Sequence, residues 1–154
     1  MTSDPAWARA ALVAAFVLAA DQITKALVTG SIAPGESRRL LPGVSLVHAE
    51  NSGVAFSLLT GSEAIVVVVT AAIVAGVVIL FARQRRRRLL WLAVGLIVGG
   101  ALGNLLDRVR TGAVTDFIQL PHWPAFNLAD TAITLGVLAL FLILGRGGAA
   151  TRTA

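Results

Sequence analysis

Cysteine is missing from this chain, and its absence excludes disulfides, thiolate metal sites and a cysteine nucleophile. Histidine occurs only as His48 and His122, too few for a multi-histidine metal centre. Charge is scarce as well. Only 14% of the 154 residues are charged against 56% hydrophobic, and the mean hydropathy is +0.83. A water-soluble domain of this size needs far more polar surface, so the deficit points to a bilayer. The length suits one domain, residues 1–154. The net charge of +5 invites a nucleic-acid reading, but five of the thirteen basic residues, Arg83 and Arg85–Arg88, form one short run between two apolar stretches. That is the place of a topology signal, and no nucleic-acid partner is expected.

Four apolar stretches are long enough to span: about 7–29, 63–82, 89–106 and 127–144. Each is close to the roughly 20 helical residues that a hydrocarbon core requires. The first has the outline of a signal peptide, with Arg9 ahead of the apolar run Ala10–Ala20. The polar cluster that follows it, Asp21-Gln22 and Thr24-Lys25, makes sense only in a retained helix. The arginine run sets the loop between the second and third spans in the cytoplasm, and an even count then puts both termini there. The segments Gly30–Ser62 and Asp107–Phe126 therefore lie outside. They carry β-favouring residues at Val44–Glu50, Val54–Leu58 and Val114–Leu120, the first beside Pro42-Gly43. The expected fold is an all-α membrane bundle of four transmembrane helices with a small extracytoplasmic β-structure.

Depth counting brings polar residues together. At 1.5 Å per residue, Asp21 lies about 9 Å below the outer surface, Asn104 about 8 Å and Asp130 about 5 Å. Three helices thus carry polar groups into one outer layer. Helical spacing places Asn104, Asp107 and Arg108 on one face, Asn127, Asp130 and Thr134 on another, and Asp21, Thr24 and Lys25 on a third. Gly95, Gly99 and Gly103, with Gly100 beside them, have the small-residue spacing of close helix packing. Asp21 has a ready partner in Lys25, and Asp107 in Arg108 or Arg110. Asp116 and Asp130 have no basic neighbour in sequence, which makes them the better candidates for chemistry.

Two nearby carboxylates suit hydrolysis, because they do not ionise together easily and one keeps a proton. The ionised one takes a proton from water while the other donates to a carbonyl oxygen. No serine has a credible base: His48 and Ser57 are far apart on a strand, and both histidines read as interfacial residues. Two other classes stay open on these grounds. A proton-coupled carrier would use Asp21 and Asp130, and a structural membrane subunit would use its acids only to pair with arginines.

Five blocks narrow the choice: Asp21-Gln22-Ile23-Thr24-Lys25, Asn51-Ser52-Gly53-Val54-Ala55-Phe56-Ser57, Gly99 to Arg108, Val114-Thr115-Asp116-Phe117, and Phe126-Asn127-Leu128-Ala129-Asp130. In this order and at these places relative to four spans, the chain resembles the lipoprotein signal peptidase family, also called signal peptidase II. The resemblance implies a bacterial inner-membrane aspartic peptidase, working without cofactor or metal and as a monomer. Its implied substrate is a prolipoprotein with a diacylglyceryl group, cut just before the lipidated cysteine, near the outer leaflet. The family's catalytic pair falls on Asp116 and Asp130. Its site-shaping residues fall on Asp21, Asn51, Asn104, Arg108 and Asn127, while Lys25 and Asp107 are assigned support. The Asn51–Ser57 segment is expected to grip the peptide, with its Ser52-Gly53 tip moving as a lid.

Overall fold

A computed structural model of the chain describes residues 4–52 and 62–149. Four long helices run in the order α1 (Pro5–Ser31), α2 (Ser62–Gln84), α3 (Leu90–Thr111) and α4 (Leu128–Ala149). Strands β1 (Ser37–Leu41) and β2 (Val44–Asn51) lie between α1 and α2, and β3 (Val114–Gln119) lies between α3 and α4. All four helices are long and apolar enough to cross a membrane. Their outward faces confirm the solvent: Leu12, Phe16, Ile73, Leu138 and Phe141 are all exposed, while Asp21, Lys25, Asn104 and Asn127 are buried. Apolar outside and polar inside is the arrangement a bilayer selects.

The helix ends follow local chemistry. Asp4 caps α1 by accepting from the Ala6 N–H at 3.1 Å, with Pro5 in the first turn, where its missing N–H costs nothing. The third span does not stop at Leu106 as expected from hydropathy. It continues to Thr111, because Gly112 at φ 78° is the first residue suited to a left-handed cap. Asp107 and Arg108 therefore stand on a helix rather than in a loop.

The central element is α3, which packs on α1, α2 and α4. Its glycines are the reason for the close approach. A Cβ at Gly99 would stand 2.7 Å from the Ala14 carbonyl oxygen on α1, and one at Gly100 would stand 2.5 Å from the Ala129 carbonyl oxygen on α4. Both gaps are too short for any side chain. The expected packing role of this stripe is what the structure has, with Gly95, Gly99 and Gly103 turned to α1 and Gly100 to α4. Phe81 anchors α2, fully buried against Leu90, Ala10 and Val94 and edge-on to Trp7 at 4.7 Å.

The three strands form one antiparallel sheet in the order β1-β2-β3. Strands β2 and β3 were legible in the sequence, and β1 was not, because Ser37-Arg38-Arg39 lacks an apolar alternation. Gly43 supplies the φ of 79° that turns β1 into β2 after Pro42. Phe117, Val28 and Ile32 seal the sheet onto the end of α1. The expected strand at Val54–Leu58 and the Gly53–Ser57 part of the proposed lid lie outside the described residues.

Candidate active site

The site is where α1, α3 and α4 end beneath the sheet. Its innermost layer is ionic. Lys25 Nζ stands 2.8 Å from Asp21 and 2.7 Å from Asp107, with all three side chains almost fully buried. The expected Asp21–Lys25 pair is present. Asp107, however, pairs with Lys25 across the bundle and not with Arg108 or Arg110, because it faces inward and they do not. Two carboxylates against one ammonium need further donors to be tolerable without water. The Ala129 N–H on α4 donates to Asp21 at 3.0 Å, Gln22 Nε2 donates to Asp107 at 2.9 Å, and the Thr115 N–H on β3 donates to Asp107 at 3.3 Å. The layer thus ties α1, α3, β3 and α4 together.

The next layer is made of amides, and the ionic layer orients them. Asn104 Oδ1 accepts from Lys25 Nζ at 3.0 Å and from Asn127 Nδ2 at 3.1 Å. With its oxygen so occupied, its Nδ2 points to Asp130 and donates to Oδ1 at 2.8 Å. Asn127 caps α4. Its Oδ1 accepts the Asp130 N–H at 2.9 Å while its own N–H donates to Asp130 Oδ2 at 3.2 Å, the reciprocal pattern of a capping box. That leaves Asn127 Nδ2 free to donate to Asp116 Oδ1, at 2.7 Å. One fully buried asparagine therefore touches both carboxylates.

Asp116 arrives from β3 and is 3% exposed. Its second oxygen accepts from Asn51 Nδ2 on β2 at 3.0 Å. The strand register explains this partner. Leu46 pairs with Ile118, yet Ala49 pairs with Asp116, so β2 carries one extra residue between them. Without that bulge, His48 would sit opposite Asp116 and Glu50 would take the diagonal place that Asn51 holds. The bulge replaces a carboxylate neighbour with an amide. Burial pushes the Asp116 carboxyl up to about 6; the Asn51 and Asn127 amides oppose the rise and the charge of Asp130 adds to it.

Several expectations change at this point. His48 is not interfacial: it is buried, with Nδ1 2.8 Å from the Ile32 carbonyl oxygen, which ties β2 to the end of α1. His122 sits exposed in a turn at φ 59°. Arg108 is half-buried one turn beyond Asn104, and among the described residues its hydrogen bond goes to the Asn104 carbonyl oxygen at 3.3 Å, not to either acid. Gln22 was named in the polar cluster of the first span but given no role, although an amide inside an apolar span is itself a signal. It reaches Asp21, Asp107 and the Gly103 carbonyl oxygen. Also missed was an apolar cavity of about 370 Å³, lined by Leu120, Trp123, Phe126, Thr131, Thr134 and Leu135, which opens onto Asp130.

Four membrane helices holding two acids on an amide frame, beside an apolar groove, define a polytopic membrane hydrolase that works with carboxylates. The family described as Signal peptidase (SPase) II matches residues 13–145, and the chain belongs to that family of peptidases. It is 43% identical over 140 residues to the lipoprotein signal peptidase of Syntrophomonas wolfei, covering 90% of this chain and 94% of the relative. It is 42% identical over 131 residues to the lipoprotein signal peptidase of Moorella thermoacetica, covering 84% and 87%. A solved structure described as a bacterial membrane enzyme, determined in meso at 1.9 Å, superposes with a TM-score of 0.82 at 30% identity, covering 94% of each chain.

Proposed function

We propose that this chain removes signal peptides from diacylglyceryl-modified prolipoproteins, cutting just before the lipidated cysteine with Asp116 and Asp130 as the catalytic pair. The observation that carries the reading is Asn127, which holds both carboxylates, with Asp130 at the rim of an apolar groove. Asp116 holds the proton, consistent with the rise that burial imposes on it. Asp130 takes a proton from water as the water oxygen attacks the scissile carbonyl carbon, and Asp116 donates to the carbonyl oxygen. The tetrahedral intermediate then collapses: its C–N bond breaks as Asp130 returns its proton to the leaving amine, and Asp116 takes back a hydroxyl proton as the carboxyl C=O re-forms. Asn51, Asn104 and Asn127 fix the two acids, and Arg108 stands ready for a peptide carbonyl above them. Asp21, Lys25 and Asp107 fix Asn104. The groove beside Asp130 takes an apolar part of the substrate in from the membrane, so no aqueous channel is required.

The reading places the chain in the bacterial inner membrane as a monomer, with both termini in the cytoplasm and the site near the outer leaflet. It needs no cofactor and no nucleic acid. A carrier would have to titrate Asp21 against water, but Asp21 is fully buried and ion-paired with Lys25. The test is a gel-shift assay with a diacylated precursor. Asp116→Asn and Asp130→Asn each lower turnover roughly a thousandfold while the protein still inserts. Cleavage by either purified variant at the wild-type rate overturns the assignment.

A further inference from the structure

At the end of the bundle away from the sheet, the α2–α3 turn curls around an open cleft of about 630 Å³ lined by Arg83, Gln84, Arg85, Arg86 and Arg87. Two of these arginines are used by the fold. Arg85 Nε is 2.7 Å from the α1 cap Asp4, and Arg87 Nη1 donates to the Ile143 carbonyl oxygen on α4 at 3.3 Å. These two contacts tie the turn to α1 and α4 and so hold the cleft in place. The side chains of Arg83 and Arg86 make no hydrogen bond or ion pair among the described residues, although Arg86 lies near enough to Asp4 to help hold its carboxyl below the usual range. Gln84 Oε1 is the one buried side-chain oxygen or nitrogen there without a partner. Unspent positive charge beside an unsatisfied acceptor calls for a ligand with an anionic group and a hydroxyl donor.

A second cavity lies just deeper. Helices α1 and α2 splay apart over α3, leaving a crevice of about 190 Å³ lined by Trp7, Ala10, Ala11, Ala14, Val78 and Gly95, among others. It is apolar throughout. The Asp4–Arg85 ion pair and the Trp7–Phe81 contact fix this crevice at the arginine end of the bundle. Val78 is five residues before Arg83, a rise of about 7.5 Å along α2. The arginine cleft therefore lies nearer the end of the bundle than the apolar crevice, at the level where a spanning helix leaves the hydrocarbon.

We propose that the α2–α3 turn and the α1–α2 crevice together bind one anionic phospholipid, its phosphate on Arg83 and Arg86 and an acyl chain in the crevice. A zwitterionic lipid is disfavoured, because its ammonium would enter a cluster of arginines that, among the described residues, is ion-paired only with Asp4. Free phosphate uses half of the site and leaves the crevice empty. The site is remote from Asp116 and Asp130, so the proposal stands or falls apart from the catalytic reading.

The test uses the full chain in nanodiscs of phosphatidylcholine with one part in five phosphatidylglycerol, followed by native mass spectrometry of the lipid it retains on extraction. Wild type is expected to retain one phosphatidylglycerol in preference to phosphatidylcholine. Arg83→Gln with Arg86→Gln should weaken that retention roughly 30-fold, the loss expected for two interfacial arginines, while the double Lys variant keeps it. Ala11→Phe, which fills the crevice and removes no charge, should also lose the lipid. Millimolar inorganic phosphate should not displace it. Equal retention of both lipids by wild type overturns the proposal, as does unchanged retention in the double Gln variant. Full retention by Ala11→Phe, or displacement by inorganic phosphate, overturns it by reducing the site to a bare phosphate-binding patch.

Discussion

Lys25 shows how much one side chain decides. It pairs with two buried carboxylates and also fills the Asn104 oxygen, so that the Asn104 amide hydrogens face Asp130. Lys25→Met should cost about 3–5 kcal/mol of stability, because two acids are left in the bundle without their counter-ion. The triple variant Asp21→Asn, Lys25→Met, Asp107→Asn should recover much of that stability and stay slow, because Asn104 is no longer oriented. Thermal unfolding in detergent, beside turnover, separates the two effects. Asp116 has a separate signature in pH. Its folded carboxyl holds a proton more tightly than the unfolded one, up to about 6 against an ordinary 3.8. Its contribution to stability is therefore complete below pH 3.8 and is lost as pH rises to about 6. Asp116→Asn should remove this slope from the unfolding curve. On the proposed mechanism, turnover per unit of free enzyme should fall as pH rises through about 6, as Asp116 loses the proton it would donate.

At the scale of elements, α3 sets the geometry. Gly99→Ala drives a methyl to 2.7 Å from the Ala14 carbonyl oxygen and should destabilise the bundle by about 1–3 kcal/mol. Gly103→Ala meets Asp21 Oδ2 at 2.6 Å, so it should act through the site, costing turnover more than stability. Gly76 on α2 has open space around its Cβ position, and Gly76→Ala should be neutral or slightly stabilising. Denaturation in mixed micelles and the cleavage assay order the three variants. The sheet is the other positioning device. Its bulge decides that Asn51 rather than Glu50 lies beside Asp116, a choice made by one extra residue in β2.

The whole molecule is polarised along the bundle. The arginine turn meets the start of α1 through Asp4 and Arg85, while the sheet covers the end of α1 through Val28, Ile32 and Phe117. The two features thus lie at opposite ends. Because the chain has no cysteine, a single introduced one reports its side cleanly. Ser37→Cys on exposed β1 should react with a membrane-impermeant maleimide on intact cells, and Arg88→Cys only after permeabilisation. The reverse pattern would invert the proposed orientation.

The sequence by itself determined the solvent, the four spans and the layer at which polar residues meet. Hydropathy and helical rise are local, additive properties that survive without tertiary information. It also marked Asp116 and Asp130 as candidates, because neither has a basic residue near it in sequence to pair with. It could not show that Asp107 pairs with Lys25 rather than Arg108, since that contact joins two helices. Nor could it show the β2 bulge, the burial of His48, the use of Gln22, or the groove beside Asp130. Only the packing of α3 against α1 and α4, with β3 folded onto their ends, decided that Asn127 would touch both acids. A strand and a helix have to be brought together before one amide can hold a carboxylate from each.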